Sequence, residues 1–116
     1  MRNKDQRRSR LQELRAANLY GGRTTPGSGN GWVKKGDVRT VTELFELKTT
    51  TKASYPLKAS ELKEHWDHAL IDGRTPVFEI EYANAGVTCV ILDKDDYLAL
   101  RNASGLNPVD ESEDAW

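Results

Sequence analysis

The stretch GDVRTVTELFELK, residues 36–48, decides how this chain is expected to fold. In its last four residues, the period-two alternation of a β-strand sends Phe45 and Leu47 to one face and Glu46 and Lys48 to the other. Two carboxylates, Asp37 and Glu46, and one ammonium can then lie on the same side of a small sheet. The predicted strands are 32–41, turning at Gly36, and 43–49, joined by a tight hairpin at Thr40–Thr42.

Apolar periodicity outside this stretch predicts three helices and two further strands. Leu11, Leu14, Ala17 and Leu19 form one edge of an amphipathic helix, and the glycines after Tyr20 end it. The predicted elements are a helix over 1–19, a glycine-rich loop over 21–31, a helix over 60–70 with Leu62, Trp66, Ala69 and Leu70 on its inner face, strands over 76–82 and 87–92, and a short helix from 93 or 94 to 101. This order predicts an α/β (α+β) fold in which helices flank a central mixed β-sheet.

Composition limits the size and the setting of the protein. A chain of 116 residues with 37% hydrophobic residues has room for one domain, 1–116, with one modest core. We expect the basic segment 1–9 and the acidic tail 102–116 to be flexible. No apolar run approaches the roughly 20 residues of a membrane span, and no apolar core follows the basic start as it would in a secretory signal. A cytoplasmic protein is therefore expected.

The net charge of −1 conceals an uneven distribution along the chain. Residues 1–60 carry 13 Lys and Arg against 5 Asp and Glu, whereas residues 61–116 carry 4 against 13. This asymmetry predicts one basic and one acidic region, and a polyanionic partner approaching the basic one.

Cysteine and histidine give weaker indications. Cys89 lies in an apolar run, where a buried thiol is expected rather than a catalytic one, and the compartment is expected to be reducing.

His65 and His68 are three residues apart on a predicted helix, but no third ligand lies at zinc spacing. We expect surface or partly packed histidines.

The combination of Asp37, Glu46 and Lys48 suits a metal-dependent phosphodiesterase. Carboxylates hold Mg²⁺, the ion polarises a phosphate and activates water, and a lysine supplies further positive charge. With 30% charged residues the pattern also arises by chance, and the alternative is a solvated strand edge.

Neighbouring features extend this pattern. They are Glu13 on the first helix, Arg23 and Ser28 around the glycine loop, Lys35-Gly36-Asp37 entering the sheet, Glu46-Leu47-Lys48, and Gly73-Arg74-Thr75-Pro76-Val77-Phe78. On these residues, over roughly 10–100, the chain resembles the PD-(D/E)xK nucleases, and within them the small archaeal- and phage-type Holliday junction resolvases. Glycine stands here in place of the proline in the family's Pro-Asp.

The resemblance implies a restriction-endonuclease-like core and a role for each residue. Glu13, Asp37 and Glu46 would bind Mg²⁺ or Mn²⁺, Lys48 would assist at the phosphate, and Ser28 would be a further catalytic candidate. An intrahelical ion pair is the alternative for Glu13, and a strand-edge charge is the alternative for Lys48. Resolvases of this family are homodimers that nick four-way DNA junctions symmetrically.

Basic residues around the predicted site are expected to contact DNA phosphates. They are Arg7, Arg8, Arg10, Arg15, Arg23, Lys34, Lys35, Arg39 and Lys52. No base-reading motif is visible, which suits recognition of junction shape. Two other readings stay open: a nicking, flap or mismatch endonuclease with the same site, and a non-catalytic DNA-binding protein.

Overall fold

A five-stranded mixed sheet is the centre of the protein in a computed structural model, which describes residues 3–24 and 37–106. The strands are β1 (Arg23–Thr24), β2 (Val38–Arg39), β3 (Glu43–Thr50), β4 (Thr75–Tyr82) and β5 (Val87–Ile91), and they lie in that order across the sheet. The helices are α1 (Lys4–Tyr20), α2 (Ala59–Asp72) and α3 (Lys94–Ser104). β3 and β4 pair in parallel and the other neighbours pair antiparallel. The predicted fold class is confirmed.

The predicted hairpin joins β2 to β3. The Thr40 amide donates to the Glu43 carbonyl at 2.9 Å, and the Glu43 amide donates to the Thr40 hydroxyl at 2.9 Å, so the threonine side chain closes the turn. β1 was not predicted, because its two residues lie at the start of the glycine-rich loop. Residues 32–36 of the predicted first strand, with Trp32, lie outside the described residues.

α1 packs against one face of the sheet. Ala16 lies in a core with Val38, Phe45 and Val77, and the Tyr20 ring stacks on Phe45 with centroids 4.3 Å apart. The predicted inner edge of this helix is wrong for its three leucines: Leu11, Leu14 and Leu19 are exposed, and Gln12 and Ala16 are buried instead. Its fourth member, Ala17, packs against the core as predicted. Gln12 can be buried because its amide donates to the Lys48 carbonyl at 2.9 Å and to Glu79 at 3.1 Å.

Local signals fix both ends of α1. Asn3 and Gln6 form a capping box at its start, so residues 4–9, which we expected to be flexible, are helical. Gly21 ends the helix in the left-handed conformation at φ 70°. A Cβ on Gly22 would lie 2.8 Å from the Arg39 carbonyl, so only glycine allows the chain to pass β2 this closely.

α2 crosses between the parallel strands and covers the other face of the sheet. His65 is buried, which corrects the predicted surface or partly packed position. Its Nε2 lies 3.0 Å from both the Leu44 and the Val77 carbonyl oxygens. Because carbonyls only accept hydrogen bonds, Nε2 carries the hydrogen and ties α2 to both strands. Of the predicted inner residues, Ala69 is buried and Leu70 is exposed.

β5 and α3 end the described part of the chain. Cys89 is exposed, and the predicted buried thiol is wrong because β5 is an edge strand that pairs only with β4. α3 has no buried residue. The predicted acidic tail is helical over 102–104, and its last ten residues, 107–116, lie outside the described ranges. Within 3–24 and 37–106, none of the helices has the length and apolar character needed to cross a membrane.

We expect His65→Ala to lower the free energy of unfolding by about 3 kcal/mol, because it leaves a cavity and removes a donor shared by two strands. Urea denaturation would measure the loss. His68→Ala, the same change one turn along α2 at a half-buried position, is the control and should cost less. Equal losses for the two variants would contradict the role given to His65.

Candidate functional site

Glu46 lies on the face of the sheet that α2 covers, and the β2–β3 register directs Asp37 to the same face. β2 and β3 pair Val38 with Phe45, so one further step of the same antiparallel register places Asp37 opposite Glu46. Phe45 points into the α1 core, and alternation therefore sends both carboxylates to the opposite face. Both residues are buried, with 2% and 5% of their surface exposed. The predicted convergence of these two acids agrees with the register.

Lys48 lies two residues after Glu46 on β3, so its side chain points to the same face of the sheet. Its Nζ lies 3.4 Å from the Glu46 carboxylate, and its side chain is 33% exposed while that of Glu46 is 6% exposed. The Lys48 side chain is therefore partly accessible to solvent, whereas the Glu46 side chain is shielded from it.

Sequence reasoning missed two further members of this site, Tyr55 and Glu61. A Glu61 carboxylate oxygen lies 3.6 Å from the Lys48 Nζ, and the Tyr55 hydroxyl donates to it at 2.9 Å. Burial, followed by the hydrogen bond to Glu61 and the charges of Glu61 and Glu46, raises the pKa of Tyr55. Glu61 lies in the first turn of a helix, where acids are common, so nothing in the sequence marked it out.

Glu13 lies on the flank of α1 that faces β2. Arg15, on the other flank, contacts Glu81 on β4, and β2 lies on the opposite side of β3 from β4. Glu13 forms an ion pair with Arg10 at 3.2 Å, three residues earlier, which is the alternative that the sequence left open. The predicted role of Glu13 as a metal ligand stays a prediction.

The other predicted residues divide into three groups. Ser28, Lys34 and Lys35 lie outside the described residues. Four arginines form ion pairs: Arg8 with Asp5, Arg10 with Glu13, Arg15 with Glu81, and Arg39 with Asp72. Arg7, Arg23 and Lys52 are exposed, and none of the ion pairs found in 3–24 and 37–106 involves them.

The two charged halves of the sequence interleave in space. Acids from α2 and β4 contact bases from the first half of the chain: Glu81 with Arg15, Asp72 with Arg39, and Glu61 with Lys48. These pairs reduce the separation into one basic and one acidic region that the sequence predicted.

A second buried acid lies on the α1 face of the sheet. Glu79 accepts hydrogen bonds from the Tyr20 hydroxyl at 2.7 Å and from Gln12 at 3.1 Å. Burial, and then the hydrogen bond to Glu79, raises the pKa of Tyr20 to about 12. This network joins α1 to β3 and β4. The side chains of Lys48 and Glu61 lie on the other face of the sheet.

The donor set beside Lys48 fits Mg²⁺ or Mn²⁺ in chemical type. Asp37 and Glu46 offer hard carboxylate oxygens from adjacent strands, and Mg²⁺ in proteins is often held by one or two carboxylates together with substrate phosphate. Over residues 3–24 and 37–106, no three acid, histidine or cysteine side chains converge as a metal-holding group. The predicted set of Glu13, Asp37 and Glu46 is therefore not assembled as a metal-holding group among the described residues.

Comparisons of the chain with protein-family models, with curated proteins and with solved structures found no match. The resemblance to the PD-(D/E)xK nucleases stays a prediction from the residues.

We expect the difference in unfolding free energy between the wild type and Tyr20→Phe to change with pH. The stability that the wild type gains from the Tyr20 hydroxyl should fall as pH rises from 10 to about 12. The pKa of Tyr20 is raised in the folded state, so below pH 10 the phenol is neutral in both states, and above it only the unfolded state readily loses the proton. Chemical denaturation at a series of pH values would measure this difference.

Glu79→Gln should lower the pKa of Tyr20 only part of the way to 10, because burial is the larger cause and persists. NMR titration of the Tyr20 ring would report it. Glu81→Gln, on the same strand, is the matched control and should leave the Tyr20 titration in place.

Proposed function

We propose that this protein is a metal-dependent endodeoxyribonuclease of the PD-(D/E)xK type that cuts four-way DNA junctions. The observation that carries the proposal is the Lys48 ammonium 3.4 Å from the buried Glu46 carboxylate. The β2–β3 register, continued by one residue before Val38, sets Asp37 opposite Glu46. Two hard carboxylates beside one partly exposed ammonium suit hydrolysis of a phosphodiester better than any other chemistry at this site.

Each side chain has a separate task in this proposal. Asp37 and Glu46 would hold Mg²⁺ or Mn²⁺. Glu13, the third ligand that the family resemblance implies, lies on α1, which covers the opposite face of the sheet, so the proposed metal site leaves it out. The bound ion supplies the Lewis acidity that polarises the phosphate and activates a water. Lys48, whose side chain is partly exposed, would share its ammonium between the Glu46 and Glu61 carboxylates and the phosphate, and would stabilise negative charge as it develops on the phosphate oxygens.

The DNA-contacting surface in this proposal centres on exposed bases. Arg7 on α1, Arg23 on β1 and Lys52 after β3 are the predicted phosphate contacts that no ion pair occupies within the described ranges. Arg8, Arg10, Arg15 and Arg39 must first leave or share an acidic partner, so we rank them lower.

Symmetric cleavage of a junction requires two sites related by a two-fold axis. A homodimer in the cytoplasm, serving DNA recombination and repair, is therefore part of the proposal. The archaeal or phage setting follows only from the family resemblance.

We expect Asp37→Asn, Glu46→Gln and Lys48→Ala each to lower junction cleavage by at least ~100-fold while junction binding persists. The assay is incubation with a fixed synthetic four-way junction, with and without Mg²⁺, read out as paired symmetric nicks. Asp67→Asn removes an exposed carboxylate of α2 that pairs with Lys63, and it is the control.

The same assay separates the alternatives. Faster cutting of flaps or nicked duplex than of four-way junctions would favour another endonuclease with the same site. Junction binding with no Mg²⁺-dependent nicking that EDTA stops would sink the hydrolytic proposal and favour a non-catalytic DNA-binding protein.

Arg7→Ala should reduce by about one the slope of log affinity against log salt concentration for junction binding, because one phosphate contact is lost. Fluorescence anisotropy over a salt series would measure this slope. Arg8→Ala is the comparison and should change the slope less, since Asp5 already neutralises that guanidinium at 2.9 Å. Identical slopes for wild type and Arg7→Ala would remove Arg7 from the DNA surface.

A further inference from the structure

Lys48 is held by carboxylates from two different elements. Its Nζ lies 3.4 Å from Glu46, two residues earlier on the same strand, and 3.6 Å from Glu61, in the first turn of α2. A lysine ammonium on a flexible four-carbon stem has many accessible positions. Two anionic contacts from separate directions restrict that freedom far more than one would.

Glu61 is itself fixed in place. The Tyr55 hydroxyl donates to the same Glu61 oxygen that faces Lys48, at 2.9 Å. Tyr55 lies between the end of β3 and the start of α2, so this bond also ties the connecting segment to the helix. A tyrosine hydroxyl keeps its hydrogen at neutral pH, and burial and the two nearby carboxylates raise the pKa of Tyr55 further, so it stays a donor.

We propose that Glu61, anchored by the Tyr55 hydroxyl, is a positioning residue that holds the Lys48 ammonium beside Glu46 for its work on the phosphate. This inference rests on the proposed nuclease function. Glu61 acts through Lys48 and touches no reacting atom. Its loss is therefore expected to lower the rate of the chemical step. A structural role alone would act through folding or through DNA affinity.

The positioning role explains why a third carboxylate, Glu61, lies in the site. Metal binding by Asp37 and Glu46 does not explain it. Glu61 adds a negative charge close to where a phosphate must bind, which opposes DNA binding by itself. Glu61 favours catalysis because it holds the Lys48 ammonium in position. The weaker DNA binding is a consequence of that role.

The experiment uses the full chain and two conservative variants. Glu61→Gln keeps the shape of the side chain and an oxygen for Tyr55 but removes the charge that holds Lys48, whereas Tyr55→Phe removes only the hydroxyl. Single-turnover cleavage of a four-way junction in Mg²⁺ gives the rate of the chemical step, and anisotropy gives junction affinity. NMR of lysine-labelled protein follows the Lys48 Cε and Nζ resonances, assigned with Lys48→Arg.

We expect Glu61→Gln to lower the cleavage rate ~10-fold, the scale on which residues that orient a metal site act, with junction affinity equal or higher. Tyr55→Phe should lower the rate less, and the double variant should match Glu61→Gln, because Tyr55 acts only through Glu61. The Lys48 resonances should move in Glu61→Gln.

Asp67→Asn is the matched control on the same helix. It should move the resonances of Lys63, its partner at 3.0 Å, and leave those of Lys48 and the cleavage rate unchanged. Thermal unfolding of every variant separates a loss of folding from a loss of positioning.

The outcomes separate this inference from the function on which it rests. An unchanged cleavage rate in Glu61→Gln, when Lys48→Ala abolishes cleavage, would overturn the positioning role, as would unmoved Lys48 resonances. If the wild type cuts no junction, the nuclease proposal fails, and the Lys48 resonances alone then decide whether Glu61 holds that ammonium.

Discussion

The site depends on the alternation of side chains along β3. Phe45 packs in the core beneath α1, and the residue after it, Glu46, therefore faces α2 together with Lys48. A slip of β3 by one residue against both of its neighbours, β2 and β4, would exchange these faces and place the glutamate and the lysine against α1. Burial of Phe45 thus fixes the direction of both charged side chains.

The crossover helix α2 brings Glu61, a residue that β3 does not contain, to the site. α2 connects β3 to its parallel neighbour β4, so the start of the helix comes back to the end of β3, where Lys48 lies. His65 holds the helix to both strands through the Leu44 and Val77 carbonyls. The contact between Glu61 and Lys48 follows from this anchored position of the helix.

The two faces of the sheet use buried carboxylates differently. On the α1 face, Glu79 accepts hydrogen bonds from Gln12 and Tyr20, and the network holds helix and strand together. On the α2 face, Glu46 lies beside the ammonium of a lysine whose side chain is partly exposed. A fully bonded carboxylate stabilises the fold, whereas one beside an accessible cation can take part in chemistry.

The sequence by itself determined the order of the elements other than β1, the hairpin before β3 and the shared face of Glu46 and Lys48. Short-range alternation and turn chemistry are local properties, and they suffice for these features. Tertiary structure decided the rest. Gln12 is buried where leucines were expected, because its amide finds acceptors on two strands, and Cys89 is exposed, because β5 lies at an edge. Tyr55 and Glu61 joined the site only through the path of α2, since no local pattern reports which distant side chains a crossover helix brings together.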